Sequence, residues 1–271
     1  SGLIMAELRY REGGASNWHT IQLGEGEETL KIVERITPMG LEFSLYAKDT
    51  VGNESFLPDT DEFYSVPVEL KGKGLTRIDQ EGNPVPMHNG TKVTDYRIFS
   101  IPLWVWDNSP ANILEPVLGR YDERKWRFGE YANNQPVYYP HTRNFEPGRG
   151  FFIIVREPDK YIYSGEGITI PTNEPHEFLA EHGWNLVGNP YLFPLPISAI
   201  TDANNDPINV AYSYGENGWQ IADEIMPWSG VAIWVEYSPI YFHPEHRATR
   251  KSKNLPWEYG KAVQNYSSSI M

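Results

Sequence analysis

The sequence predicts an all-β protein in which a small N-terminal unit precedes a larger one built from two copies of the same β-module. Three observations predict it. The composition is rich in strand and turn formers, with 9 Trp, 17 Tyr, 22 Pro and 23 Gly in 271 residues. Short apolar or alternating segments are broken about every 8–12 residues by Gly, Pro, Asn or Asp, and long helical periodicity is missing, which is the pattern of sandwiches and barrels. Finally, one phrase recurs: residues 95–103 read DYRIFSIPL and residues 183–191 read GWNLVGNPY.

Over residues 1–70, AELRYREGG alternates Leu8 and Tyr10 with polar residues and turns at Gly13-Gly14, and NWHTIQL and LKIVERI follow as short strands. GLEFSLYAKDTVGNES then sets Leu41, Phe43, Leu45 and Ala47 on one strand face and turns at Val51-Gly52-Asn53. A strand of the form Y-x-A-x-D leading into a Gly-Asn turn resembles immunoglobulin-like (Ig-like) and fibronectin type III-like domains. The resemblance implies a β-sandwich. Residues 71–94, with KGKG, EGNP and HNGT, read as a linker or, through TRID and PVPM, as edge strands of the next unit.

The second unit spans residues 95–244, with halves at about 95–170 and 183–244. Tyr96 matches Trp184, Arg97 Asn185, Ile98 Leu186, Phe99 Val187, Ser100 Gly188 and Pro102 Pro190, a constant shift of 88 (from 96 to 184). Two further blocks keep the order: YDERKW (Tyr121, Trp126) recurs as YGENGW (Tyr214, Trp219), and FEPGRGFFIIV at 145–155 recurs as IMPWSGVAIWV at 225–235. Three ordered blocks are the mark of a duplication. Each copy reads as a strand ending at a proline, a hairpin carrying Tyr and Trp, a Pro-x-x-Gly turn, and an apolar strand buried on both faces. Superposed halves are expected to bring Pro102 onto Pro190, Trp126 onto Trp219 and Gly150 onto Gly230.

The order YR-x-x-S-x-P, LG-x-Y-x-x-x-x-W, PG-x-G-F and GWN-x-x-GNP is similar to a duplicated β-module of very large secreted or surface proteins in Bacteroidetes- and Chlorobi-type bacteria. There it often follows an Ig-like domain. The resemblance implies an N-terminal Ig-like β-sandwich followed by an internally duplicated β-sandwich or barrel-like domain, an extracellular or cell-surface location, and export by type IX secretion. It brings no catalytic residues with it. Residues 245–271, with a basic cluster from Arg247 to Lys253, read as a C-terminal linker or tail.

The charge balance of 23 basic against 36 acidic residues, net −13, opposes binding to nucleic acid or anionic lipid. Cysteine is absent, which removes disulfides and thiolate metal ligands. No apolar run is long enough to span a bilayer, and SGLIMAELRY lacks the pattern of a signal peptide, so the chain reads as a mature fragment of something longer.

Motifs for chemistry are fragmentary. HEFLAEH at 176–182 has Ala180 where a zinc-protease H-E-x-x-H needs its second histidine. FHPEH at 242–246 offers His243, Glu245 and His246 with no fourth ligand to name. In TDANNDPIN, Asp202, Asn204 and Asp206 alternate as oxygens do around Ca²⁺, but Pro207 replaces the glycine of an EF-hand and Ser213 its bidentate glutamate, leaving a non-EF calcium site as the candidate. Nucleophile-elbow and phosphate-loop motifs are missing, so the chain is not expected to be an enzyme.

The candidate binding surface lies in FSIPLWVWDN. Phe99, Ile101, Leu103 and Val105 should face the core, which sends Trp104 and Trp106 to the opposite face if the strand continues past Pro102, roughly 6.5–7 Å apart. Two such indoles suit stacking on a sugar chain or gripping a neighbouring domain. The expected function is a non-catalytic structural or adhesive segment of a large extracellular protein, with neighbouring domains or other proteins as partners. The alternative is a carbohydrate-binding module with a polysaccharide as partner.

Overall fold

The computed structural model describes residues 2–24, 37–60 and 62–244. The chain is all-β, with one α-helix and no closed barrel among the described residues. No helix there is long and apolar enough to cross a membrane.

The first unit contains β1 (Leu3–Glu12), β2 (His19–Gln22), β3 (Leu41–Asp49), β4 (Glu54–Leu57) and β5 (Tyr64–Val66). They form one antiparallel sheet in the order β2-β1-β3-β4, with β5 also paired to β3. LKIVERI lies outside the described residues. Leu8 and Tyr10 pair across the ladder with Leu45 and Phe43 on one face, and only Leu8 and Tyr10 are fully buried there. The deepest residues of β3 are Glu42 and Tyr46, on the face opposite Leu41, Phe43, Leu45 and Ala47. The reason is that Glu42 faces the second unit, where the Thr172 hydroxyl donates to its carboxylate at 2.6 Å. At Glu42 an interface covers what alternation alone would assign to solvent, whereas Tyr46 is covered within its own sheet by Phe56 and Arg9.

The first half of the second unit contains β6 (Glu69–Leu70), β7 (Arg97–Phe99), β8 (Trp104–Val105), α1 (Pro110–Leu118), β9 (Trp126–Ala132), β10 (Gln135–Tyr138), β11 (Phe151–Val155) and β12 (Gly167–Ile168). The second contains β13 (His176–Phe178), β14 (Gly183–Gly188), β15 (Leu195–Pro196), β16 (Ile200–Thr201), β17 (Ala211–Gly215), β18 (Gly218–Ile221), β19 (Glu224–Ile225), β20 (Gly230–Val235) and β21 (Ile240–Phe242). Each half has a four-stranded sheet, β10-β9-β11-β7 and β18-β17-β20-β14, and a three-stranded one, β6-β12-β8 and β13-β21-β16. The strand orders correspond throughout, and β15 and β19 add a small ribbon to the second half. The repeated unit therefore reaches upstream of residue 95 to β6. Residues 76–89 follow the first half closely, with bridges from Thr76 to Tyr163 and from Asn89 to Val155.

Ladder register fixes which residues correspond. Phe151 pairs with Phe99 as Val231 pairs with Val187, so Gly150 corresponds to Gly230 and Ser100 to Gly188. Pro102 and Pro190 border one small apolar pocket together with Pro38 and Met39 of the first unit. The expected match of Trp126 to Trp219 is wrong. Phe152 pairs with Gly129 as Ala232 pairs with Tyr212, which makes Tyr131 the counterpart of Tyr214 and Pro136 the counterpart of Trp219. Trp126 opens β9 and is buried against Tyr121 and Tyr139, whereas Trp219 stands half-exposed on the outer strand of the other hairpin. Equal Tyr-to-Trp spacing arose from two different places in the hairpin.

Helix α1 was not expected. The Ser109 hydroxyl accepts from the Asn112 amide at 3.3 Å, Pro110 opens the first turn, and Gly119 closes the last at φ 80°. These are ordinary cap signals, but the helix is too short for its apolar period to stand out. It seals the first core with Ile113, Leu114 and Leu118.

One face of each large sheet packs on its own small sheet. Phe99, Phe128 and Phe151 meet Leu70 and Val105 in the first half, and Val187, Val231 and Ile233 meet Phe178 and Phe242 in the second. The other faces meet each other: Ile98, Phe152 and Tyr131 pack on Leu186, Ala232 and Tyr214, three pairs of equivalent residues. This is the signature of a pseudo-two-fold axis, and the backbone obeys it. Phe99 bridges to Ser229 as Val187 bridges to Arg149, and the Ser100 amide donates to Trp228 O at 3.3 Å as the Gly188 amide donates to Gly148 O at 2.9 Å. Ser100 and Gly188 meet near the axis, where a Cβ on Gly188 would lie 2.2 Å from that of Ser100. The small residue in the repeated phrase is thus explained by the close approach of its own two copies. Trp228, at φ 65° in the position of Gly148 (φ 87°), inserts its ring into the first half's core against Phe99.

Candidate ligand-binding surfaces

β7 and β8 belong to different sheets, so the strand does not run on past Pro102. Alternation of burial persists regardless: Phe99, Ile101, Leu103 and Val105 are buried, while Trp104 is 43% and Trp106 57% exposed. Trp104 lies on edge strand β8 and meets the His176 ring at 5.9 Å; His176 in turn stacks on Phe242 at 6.2 Å, with its Nε2 3.1 Å from Pro147 O. HEFLAEH accordingly begins in strand β13 and not in a helix.

Burial pushes the His176 imidazole below its ordinary value, against the opposing pull of the Pro147 carbonyl and of Glu146 and Glu177. The unfolded chain therefore takes up this proton first as pH falls, and the stability contributed by neutral His176 declines below about pH 6.5. Thermal unfolding at pH 7.5 and pH 5 should show a larger drop in melting temperature for the wild type than for His176→Phe. Equal drops would remove His176 from the acid response.

Asp202, Asn204 and Asp206 form a turn. The Asp202 carboxylate accepts from the amides of Asn204 at 2.8 Å and Asp206 at 3.1 Å, and Asn205 has φ 62°. Asp49 does the same for Val51 and Asn53 with Gly52 at φ 92°, and Asp79 for Glu81 and Asn83 with Gly82 at φ 84°. DTVGN, DQEGN and DANND are thus one turn used three times, each with one carboxylate oxygen accepting two backbone amides. Among the described residues no three His, Asp or Glu side chains are grouped as metal ligands. His243 Nε2 lies 2.9 Å from the Thr201 hydroxyl, and Glu245 and His246 fall outside the described residues.

The two deeply buried glutamates join parts of the fold. Glu42 accepts from Arg11 Nε at 2.5 Å, from the Gly14 amide at 2.8 Å and from Thr172. Glu130 accepts from the Arg143 amide at 2.5 Å and its Nε at 2.7 Å, with Arg149 Nη1 at 3.7 Å. Arg143 reaches Glu181 and Arg149 lies over the Phe178 ring, so this network ties the first half to the second.

Sequence reasoning missed the aromatic face of the second half. Trp184 and Trp234 are direct cross-strand partners with rings 5.8 Å apart and nearly perpendicular, and Tyr212 lies 5.9 Å from Trp184. Beside Trp234 opens a depression of about 210 Å³ bordered by Asp202, Asp206, Asn209, Val210 and Glu236. Trp184 stands where the first copy has Tyr96, a visible signal, but an aromatic residue in a strand reads first as core. Comparison with known proteins adds no assignment: no family model, curated protein or solved structure matches the chain.

Proposed function

We propose that the chain is a non-catalytic structural or adhesive segment of a large extracellular bacterial surface protein. The observation that carries this reading is the use made of the buried charge. Glu42 and Glu130, carboxylates sequestered as a general acid or base would be, are saturated by arginine and amide donors and serve to dock one part of the fold on another. Met39 adds an apolar contact by packing against the cores of both halves at once. Such cross-bracing suits a segment that carries load or presents a surface, and the family resemblance supplies the location. Antibodies raised against the chain should label intact cells of the source bacterium, and incubation with polysaccharides should release no reducing ends. Labelling confined to permeabilised cells would contradict the location, and product release the non-catalytic reading.

The exposure of Trp104 and Trp106 favours a second reading, a carbohydrate-binding module. Free indole surface is what sugar stacking requires, and Trp104 offers it on the edge strand β8 with Trp106 in the turn that follows.

A further inference from the structure

We propose that a neutral glycan binds on the sheet face of the second half, with Trp234 and Trp184 as its stacking surface and the Asp206–Glu236 rim as its hydroxyl acceptors. This rests on the carbohydrate-binding reading and moves its site away from Trp104 and Trp106.

The pseudo-symmetry supplies an internal control. By ladder register, the row Trp184–Trp234–Val210 in the second half corresponds to Tyr96–Ile154–Arg127 in the first. In the first half Tyr96 and Arg127 stand on either side of Ile154, the Arg127 Nε donates to the Glu123 carbonyl at 3.1 Å, and Ile154 between them is left 9% exposed. In the second half valine replaces the arginine and cannot reach across. Trp184 and Trp234 stay 41% and 47% exposed, so the same row of the same sheet is open in one copy and shut in the other.

The chemistry around the open row selects the occupant. Trp234 Nε1 lies 3.3 Å from Glu236 Oε2, which holds an acceptor beside the indole face, and Asp202, Asp206 and Asn209 border the same depression. A wholly apolar partner would strip water from Asp206 and Glu236 without replacing its hydrogen bonds. An anionic partner would face three carboxylates on a chain of net charge −13. A neutral sugar offers an apolar C–H face to the rings and hydroxyl donors to the acceptor-only carboxylates, meeting both requirements at once.

The test is calorimetric titration of the whole chain with soluble β-glucan, xylan and galactomannan, alongside polygalacturonate and an oligoarginine peptide. At least one neutral glycan should bind. Trp234→Ala should weaken it tenfold or more with an unchanged melting temperature, and so should Val210→Arg, which returns to this row the cation that closes it in the first half. Trp104→Ala and Trp106→Ala should leave affinity as it was. Binding that survives both Trp234→Ala and Val210→Arg, or that is lost instead in the Trp104 and Trp106 variants, overturns the site while leaving the carbohydrate reading standing. Failure of every neutral glycan, or binding of oligoarginine or polygalacturonate alone, overturns both.

Discussion

Gly230→Ala is expected to destabilise the protein by about 3 kcal/mol or more, while the same change at its pseudo-symmetric counterpart Gly150 should cost only about 1 kcal/mol. A methyl group on Gly230 would lie 2.4 Å from Val187 O and 2.7 Å from Ile98 Cγ2, pushing on the neighbouring strand β14 and on the first half together. On Gly150 the nearest atom is Val187 O at 3.0 Å, and a shift of a few tenths of an ångström relieves it. Both glycines lie where the large sheets cross at the pseudo-two-fold axis, so the inequality measures how far the two copies have drifted from true symmetry. Urea denaturation of the two variants should separate them clearly. Equal costs would mean that the contacts at the axis do not set the stability of the duplicated unit.

Glu42→Ala is the second large effect, expected at about 3–5 kcal/mol because one partner of a buried ion pair is removed and the others are stranded. Arg11 loses its carboxylate while still held over the Trp18 and Phe63 rings, at 4.2 and 5.1 Å, and the Gly14 amide and Thr172 hydroxyl lose their acceptor. Thr172→Val removes the hydroxyl's bonds to Glu42 and Ser65 but leaves the Arg11–Glu42 pair intact, and should cost about 1 kcal/mol. Thermal unfolding should split into two transitions in Glu42→Ala and remain single in Thr172→Val. A Glu42→Ala protein as stable as the wild type would show that this carboxylate does not anchor the first sheet to the second unit.

The all-β class and the repeat were legible because the repeated phrase encodes a physical requirement: a strand that must end in a small residue, Ser100 or Gly188, where its two copies touch. Blocks one and three carried that requirement and gave the right register. The middle block did not, since a Tyr-to-Trp spacing says nothing about which strand of a hairpin each residue occupies, and Trp126 and Trp219 fell on different ones. Parity along β3 was readable, but a strand with two usable faces does not declare which one docks, and Glu42 became the interface. Asx turns and calcium loops both present oxygens at alternate positions, so the pattern of Asp202, Asn204 and Asp206 does not by itself reveal the turn that it shares with DTVGN and DQEGN. Trp184 and Trp234 stayed hidden for a different reason. Val210 stands beside them where the other copy has Arg127, and only the ladder register connects those positions.

Amide hydrogen exchange at the crossing of the two halves tests the central claim, one unit closed around a pseudo-two-fold axis, most directly. The amides of Ser100, Gly150 and Gly188 donate to Trp228, Leu186 and Gly148 across that crossing, at 3.3, 3.0 and 2.9 Å. If the halves form a single cooperative body, these three amides exchange only through global unfolding, at the same free energy as the central amides of β11 and β20, and Gly230→Ala lowers all of them together. Exchange of the three through a local opening of lower free energy, with β11 and β20 still protected, would mean that the halves are independent domains in contact and would contradict the account.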